Sequence, residues 1–144
     1  IRAAVQDSRV FRPEWETAFD LVLADVPCSG LGIIRKKPDI RYKTPEPLEQ
    51  LPEVQISILD NVCRYVRPGG SLLYCTCTLL ERENEQVVNR FLTDHRDFSA
   101  EAFEVPGPGG FCQSGMLTLW PHIHGTDGFF MAKLRKKGQE EAQK

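Results

Sequence analysis

An α/β fold with a mainly parallel sheet is predicted by three observations. Two short apolar runs, at 20–24 and 71–75, break off into small polar clusters that carry cysteines. The clusters are Asp25-Val26-Pro27-Cys28-Ser29-Gly30 and Thr76-Cys77-Thr78. A stretch of helical period separates the two runs. Short apolar runs bounded by turn formers read as buried strands. Strand, helix, strand reads as a parallel pair joined by a right-handed crossover. Such a crossover makes the two strands neighbours and puts their carboxyl ends on one edge, where open α/β sheets bind ligands. Asp25, Cys28 and Cys77 are therefore expected to face one cleft.

The elements follow in order. Ala3-Ala4-Val5-Gln6-Asp7 reads as the end of a strand with Asp7 at its tip. Residues 8–18 hold Pro13 and read as a loop with one helical turn. After the strand at 20–24, Pro27 to Pro47 holds Gly30, Gly32, Pro38 and Pro45, which excludes a long helix. A connection of about 20 residues is long enough to carry function of its own. Leu48, Leu51, Val54, Ile58, Leu59, Val62 and Val66 recur at three- and four-residue steps and predict a helix over 48–66. Arg67-Pro68-Gly69-Gly70 stops it, and the strand at 71–75 follows. Thr78 with Glu81 fits a capping box opening a helix to about Asp94, with Val87, Val88, Phe91 and Leu92 inward. Residues 95–115 are rich in Gly and Pro. Leu117–Trp120 and Phe129–Leu134 read as two closing strands, and 136–144 as a charged, disordered tail.

Composition narrows the possible partners. The 144 residues suit one domain, and 41% apolar content can fill a core. A net charge of −2 gives no general basic field, so a nucleic acid would be held by a local patch. Arg35, Lys36, Lys37, Arg41 and Lys43 form such a patch just after Cys28. Five cysteines, an odd number without disulfide or metal spacing, point to a reducing, cytoplasmic setting. Cys75-Thr76-Cys77 has no second Cys or His pair to complete a metal site. No apolar run approaches the roughly 20 residues of a membrane span.

The chemistry in view is that of a thiolate. A free thiol, with a pKa near 8.5, is only slightly ionised at neutral pH and needs assistance to act as a nucleophile. The helix expected after Thr78 would place its positive end beside Cys77 and favour the thiolate. Cys28 precedes a Gly-rich turn with free backbone donors, and Asp25 stands between strand and turn.

Four ordered motifs carry a resemblance over about Ala3 to Leu134. They are Asp25-Val26-Pro27-Cys28-Ser29-Gly30, then Arg35-Lys36-Lys37-Pro38-Asp39-Ile40, then Thr76-Cys77-Thr78 with Glu83-Asn84-Glu85 behind it, and Asp127-Gly128-Phe129-Phe130. Together they resemble the RNA cytosine-5 methyltransferases, most closely the bacterial Sun/Fmu type that acts on 16S ribosomal RNA. The resemblance implies a Rossmann-like fold using S-adenosylmethionine, of which this chain is the C-terminal half, with a mixed, mainly parallel sheet over 1–135. It implies that Cys77 attacks C6 of cytosine and that Cys28 assists release of the product. Asp7 would contact the adenosine part of the cofactor, and Asp25 would lie beside cofactor and target base. Arg35, Lys36, Lys37 and Arg41 would meet RNA phosphates.

The resemblance also places the family's Gly-rich cofactor loop and ribose-holding acidic residue upstream of Ile1. This chain alone is then expected to be catalytically silent, with a bare sheet edge at 3–7. Cys75 departs from the Ser or Ala usual in relatives and could be mistaken for the nucleophile. Two other readings stay open: an RNA-binding module that keeps the fold without catalysis, and a thiol redox protein using Cys75 and Cys77. Transfer RNA stands as the alternative substrate. The oligomeric state is left open.

Overall fold

Strand β1 (Phe19–Asp25) and strand β2 (Val66–Thr76) run parallel, in the register Leu21↔Ser71 through Asp25↔Cys75. The computed structural model describes residues 3–42 and 46–138. Helices α1 (Glu46–Glu49) and α2 (Leu51–Val62) carry the chain across from β1 to β2, with a 3-10 turn at Cys63–Tyr65. The crossover is the one the periodicity predicts, but the single helix over 48–66 is not. Pro52 sits in the first turn of α2, where its missing N–H leaves no bond unmade, and the helix restarts after Gln50.

β2 begins before the expected breaker rather than after it. Gly69 adopts φ of 77°, and the pairing with β1 shifts between Phe19 and Leu21. Pro68-Gly69-Gly70 is thus an irregularity inside the strand, of the kind glycine permits. The predicted capping box also fails to form. The Thr78 hydroxyl is taken by Ser29 Oγ at 2.7 Å, a 3-10 turn fills Glu81–Glu83, and helix α3 runs only from Glu85 to Asp94.

The Gly- and Pro-rich stretch holds three short strands that composition hides. They are β3 (Phe98–Ala100) and the hairpin of β4 (Phe103–Val105) with β5 (Gly110–Cys112). Strand β6 (Met116–Leu119), helix α4 (Pro121–His124) and strand β7 (Phe129–Lys136) close the chain. β7 lies antiparallel between β2 and β3, and β6 also pairs with it, so the main sheet reads β1-β2-β7-β3. β7 runs two residues past the expected Leu134. Lys136 Nζ donates to the carbonyls of Val66 (3.0 Å) and Cys63 (3.4 Å), which ties its end to the turn after α2. Residues 139–144, most of the expected tail, and Lys43 of the basic patch lie outside the described residues.

Residues 3–7 form no strand. No ladder partner meets them among the described residues, and Val5 is fully exposed. The open sheet edge is that of β1, where Leu21 and Leu23 are 58% and 61% exposed.

One face of the sheet is dry. Leu72, Tyr74 and Thr76 of β2 stand opposite Leu134, Ala132 and Phe130 of β7, and all six are fully buried. Leu59 of α2 and Phe91 and Val88 of α3 belong to the same core. Burying each large side chain contributes about 1.5–3 kcal/mol.

The loops above the sheet edge are fixed by a backbone contact that only glycine allows. Gly32 N–H donates to Cys77 O (2.9 Å), and Gly128 N–H donates to Gly32 O (2.8 Å). A Cβ on Gly32 would lie 2.1 Å from Gly128 O. Gly32→Ala should therefore destabilise the protein by about 1–3 kcal/mol, as overpacking does. Urea unfolding would register this as a lower midpoint at unchanged slope.

Candidate active site

The site is set by strand register. Asp25 pairs with Cys75 at the ends of β1 and β2, and Val26 N–H extends the ladder by donating to Cys75 O at 3.2 Å. Cys28 and Cys77 follow a few residues later, and their sulfurs meet at 3.1 Å. Cys77 N–H also donates to Cys28 Sγ at 3.3 Å. Both are free, half-buried thiols.

The backbone hydrogen bond reaches one sulfur of the pair, that of Cys28. Burial, followed by the hydrogen bond with Cys77, pushes the Cys28 thiol well above its ordinary range. Cys28 thus keeps its proton near neutral pH, and its S–H can donate to Cys77 Sγ while its sulfur accepts from Cys77 N–H. The helix-dipole assistance expected for Cys77 is absent, because α3 begins at Glu85, eight residues further on. Cys75 is not a competitor. It is buried within β2, and burial, then the Asp25 charge, pushes its thiol up to about 11. Cys63, buried after α2, is likewise pushed up to about 11 by burial.

Below the thiols lies a polar cluster: Ser29, Gln55, Thr76, Thr78, Glu83 and Asn84, none more than 1% exposed. Glu83 and Asn84 stood in a motif without an assigned role. Gln55 was missed altogether. Its signal was a polar residue placed among Leu51, Ile58, Leu59 and Val62 on the apolar stripe of α2.

Asp7 and Asp25 line one cavity of about 580 Å³, with Leu23, Pro27, Val54, Ile58 and Val62 among its apolar walls. Asp7 is held in a turn rather than on a strand. Its carboxylate accepts from Arg9 N–H (2.9 Å) and from the Arg9 guanidinium (2.7 Å). Those bonds hold its carboxyl at about 2, so it is ionised at neutral pH. Asn61 and Tyr65, also unforeseen, pin this segment: Asn61 Nδ2 donates to Ser8 O (2.7 Å), and Tyr65 OH accepts from Arg12 N–H (2.9 Å).

The basic run is exposed but not unpaired. Lys36 Nζ lies 2.5 Å and Arg35 Nη2 3.4 Å from the Asp127 carboxylate. Those two cations, Lys36 first, hold the Asp127 carboxyl below its usual range. Lys37 stands exposed beside them. Arg41 and Tyr42 are exposed on a 3-10 turn (Pro38–Tyr42) anchored by buried Ile40.

A family model described as 16S rRNA methyltransferase RsmB/F matches residues 2–135. The chain belongs to this family. The probable ribosomal RNA small subunit methyltransferase B of Bacillus subtilis is 42% identical over 144 residues, covering 96% of this chain and 32% of that protein. The solved structure of PH0851 superposes with a TM-score of 0.82 at 37% identity, over 92% of this chain and 30% of that one. NSun6 from Pyrococcus horikoshii, solved with SFG, gives a TM-score of 0.63 at 32% identity, over 79% of this chain and 29% of that one. The chain spans 32% and 27% of the length of the two curated relatives from Bacillus subtilis and Synechocystis. Its fold is thus that of the Rossmann-like methyltransferases, and the family's cofactor is S-adenosylmethionine. The cavity between Asp7 and Asp25 fits part of such a group, with two carboxylates for its donors and apolar walls for its ring. Among the described residues, no helix is long and apolar enough to cross a membrane.

Thiol reactivity separates the cysteines directly. Iodoacetamide at pH 8, read by peptide mass spectrometry on the full-length protein, should modify the half-buried pair Cys28 and Cys77 before the buried Cys63 and Cys75. First labelling at Cys75 or Cys63 would contradict this placement of the thiols.

Proposed function

We propose that this chain supplies the cysteine wall of an enzyme that methylates C5 of a cytosine in 16S ribosomal RNA through a covalent bond to C6. One observation carries the reading: two free thiols 3.1 Å apart at adjacent strand ends. A lone nucleophile would not need the second. A pair in which one sulfur attacks and the other assists its departure does.

Cys77, as thiolate, adds its sulfur to C6, and the C5–C6 π pair shifts toward C5, which becomes nucleophilic. S-adenosylmethionine supplies the methyl group that C5 takes. A base removes the C5 proton, and that electron pair restores the C5–C6 double bond. The C6–S bond breaks, and its pair returns to Cys77. The Cys28 S–H, within hydrogen-bond reach of Cys77 Sγ, stabilises the departing thiolate. Asp7 would accept from donors on the adenosine part of the cofactor, and Asp25, which lines the same cavity, would lie beside cofactor and target base. The base must be turned out of its stack to reach the sulfurs, which suits loops and single strands of RNA. Arg35, Lys36, Lys37 and Arg41 hold the phosphates beside it, with the Asp127 carboxylate giving up Arg35 and Lys36 to the RNA.

In the full-length enzyme, Cys77→Ala should abolish methyl transfer. Cys28→Ala should let Cys77 attack but not leave, so a covalent protein–RNA complex accumulates on denaturing gels. Transfer surviving in Cys77→Ala at a near wild-type rate would move the nucleophile elsewhere.

Replacing Arg35, Lys36 and Lys37 together with Ala should flatten the slope of log affinity against log salt by up to about 2, at roughly 0.7 per lost single-strand contact. An unchanged slope would make the run solvated surface.

A further inference from the structure

We propose that Glu83 and Asn84 divide the two cysteines between them, Glu83 as the positioning residue for Cys28 and Asn84 as the positioning residue for Cys77. The proposal rests on the covalent reading above and assigns residues that no part of that reaction uses. Neither side chain is bonded to a sulfur. Each acts on the backbone or side chain of the cysteine's two neighbours.

Glu83 Oε2 accepts from Ser29 N–H at 2.9 Å and from Gln55 Nε2 at 3.2 Å. Gln55 Nε2 also donates to Pro27 O at 2.9 Å. Pro27 and Ser29 are the residues on either side of Cys28, so the Glu83–Gln55 pair grips that cysteine's turn from both sides. Asn84 does the same for the other turn. Its Oδ1 accepts from Thr76 Oγ1 at 2.6 Å, and its Nδ2 donates to Thr78 O at 3.1 Å. Thr76 and Thr78 flank Cys77. The two grips are joined by Ser29 Oγ and Thr78 Oγ1 at 2.7 Å, and Tyr74 OH fixes the 3-10 turn by donating to Glu83 O at 2.6 Å.

Stability alone does not account for this cluster. Glu83 is fully buried, and among the described residues it is met by two N–H donors and no cation. A buried carboxylate held only by neutral donors is costly. Glu83 Oε1 and Gln55 Oε1 are also buried without hydrogen-bond partners, where most buried polar atoms are satisfied. An apolar filling would serve a core better. What the polar filling achieves is directional: it fixes two short turns so that two sulfurs meet.

The division predicts opposite kinetic defects. The test uses the full-length enzyme, S-adenosylmethionine and a 16S ribosomal RNA substrate, with turnover and covalent complex measured together. Glu83→Ala should slow release about ten- to a hundredfold, the scale expected for a small misplacement of a reacting group, and covalent complex should build up. Glu83→Gln should restore release, because its amide oxygen still accepts from Ser29 N–H. Asn84→Ala should slow formation of the complex without accumulating it. The Cys28→Ala/Glu83→Ala double variant should hold no more complex than Cys28→Ala. If Glu83→Ala does not fold, Gln55→Met, which keeps the shape and removes the grip on Pro27, should show the same accumulation to a smaller degree. Absence of complex in Cys28→Ala would remove the covalent reading, and this proposal with it. Complex in Cys28→Ala, with clean wild-type turnover in folded Glu83→Ala or in Gln55→Met, would overturn this proposal alone.

Discussion

The pairing of Asp25 with Cys75 is the constraint on which the site depends. It fixes how far past each strand end the chain must travel before Cys28 and Cys77 can meet. Strand side chains alternate faces, so a slip of one residue would turn the dry face of β2 outward and carry the cysteines apart. The fully buried pairs Leu72–Leu134, Tyr74–Ala132 and Thr76–Phe130 hold β2 against β7 and resist that slip. The core therefore does more than stabilise the sheet; it indexes the chemistry at its edge.

From that register, the asymmetry of the sulfurs follows by local means. Burial and the side-chain contact with Cys77 push the Cys28 thiol up, while the Cys77 backbone N–H, donated to the Cys28 sulfur, works against that rise. The stacked contacts Cys77–Gly32–Gly128 bring the basic loop and the Asp127 turn onto the same edge. Cys77, Cys28 and the cation run thus occupy one corner, although they come from segments far apart in sequence. The cavity that Asp25 shares with Asp7 is lined by neither Cys28 nor Cys77.

Much of this was legible in the residues. The apolar runs before Asp25 and Cys75 located both central strands, and the period of α2 gave the crossover that makes them neighbours. What was missed has common physical causes. Pro52 was passed over inside the helix expected over 48–66, and the Pro68-Gly69-Gly70 run was taken to end an element it lies within. A proline in a first turn restarts a helix, and glycines can bulge a strand instead of ending an element. The Thr78–Glu81 pattern fits a capping box locally, but Thr78 Oγ1 meets Ser29 Oγ and Leu80 N–H, and the helix begins only at Glu85, after a 3-10 turn. The strand expected at 3–7 has the right residues and, among the described residues, no neighbour to pair with. Gln55, Asn61 and Glu83 act across tens of residues, and their partners exist only once the fold has formed.

The central claim is that Cys77 bonds to the base and Cys28 does not. Fluorine at C5 cannot leave as a proton, so RNA carrying 5-fluorocytosine should trap the adduct on the full-length enzyme. Digestion and mass spectrometry would then identify the modified cysteine. The nucleotide is expected on the peptide that contains Cys77, with Cys28 unmodified. A nucleotide on Cys28, or on Cys75, would contradict it.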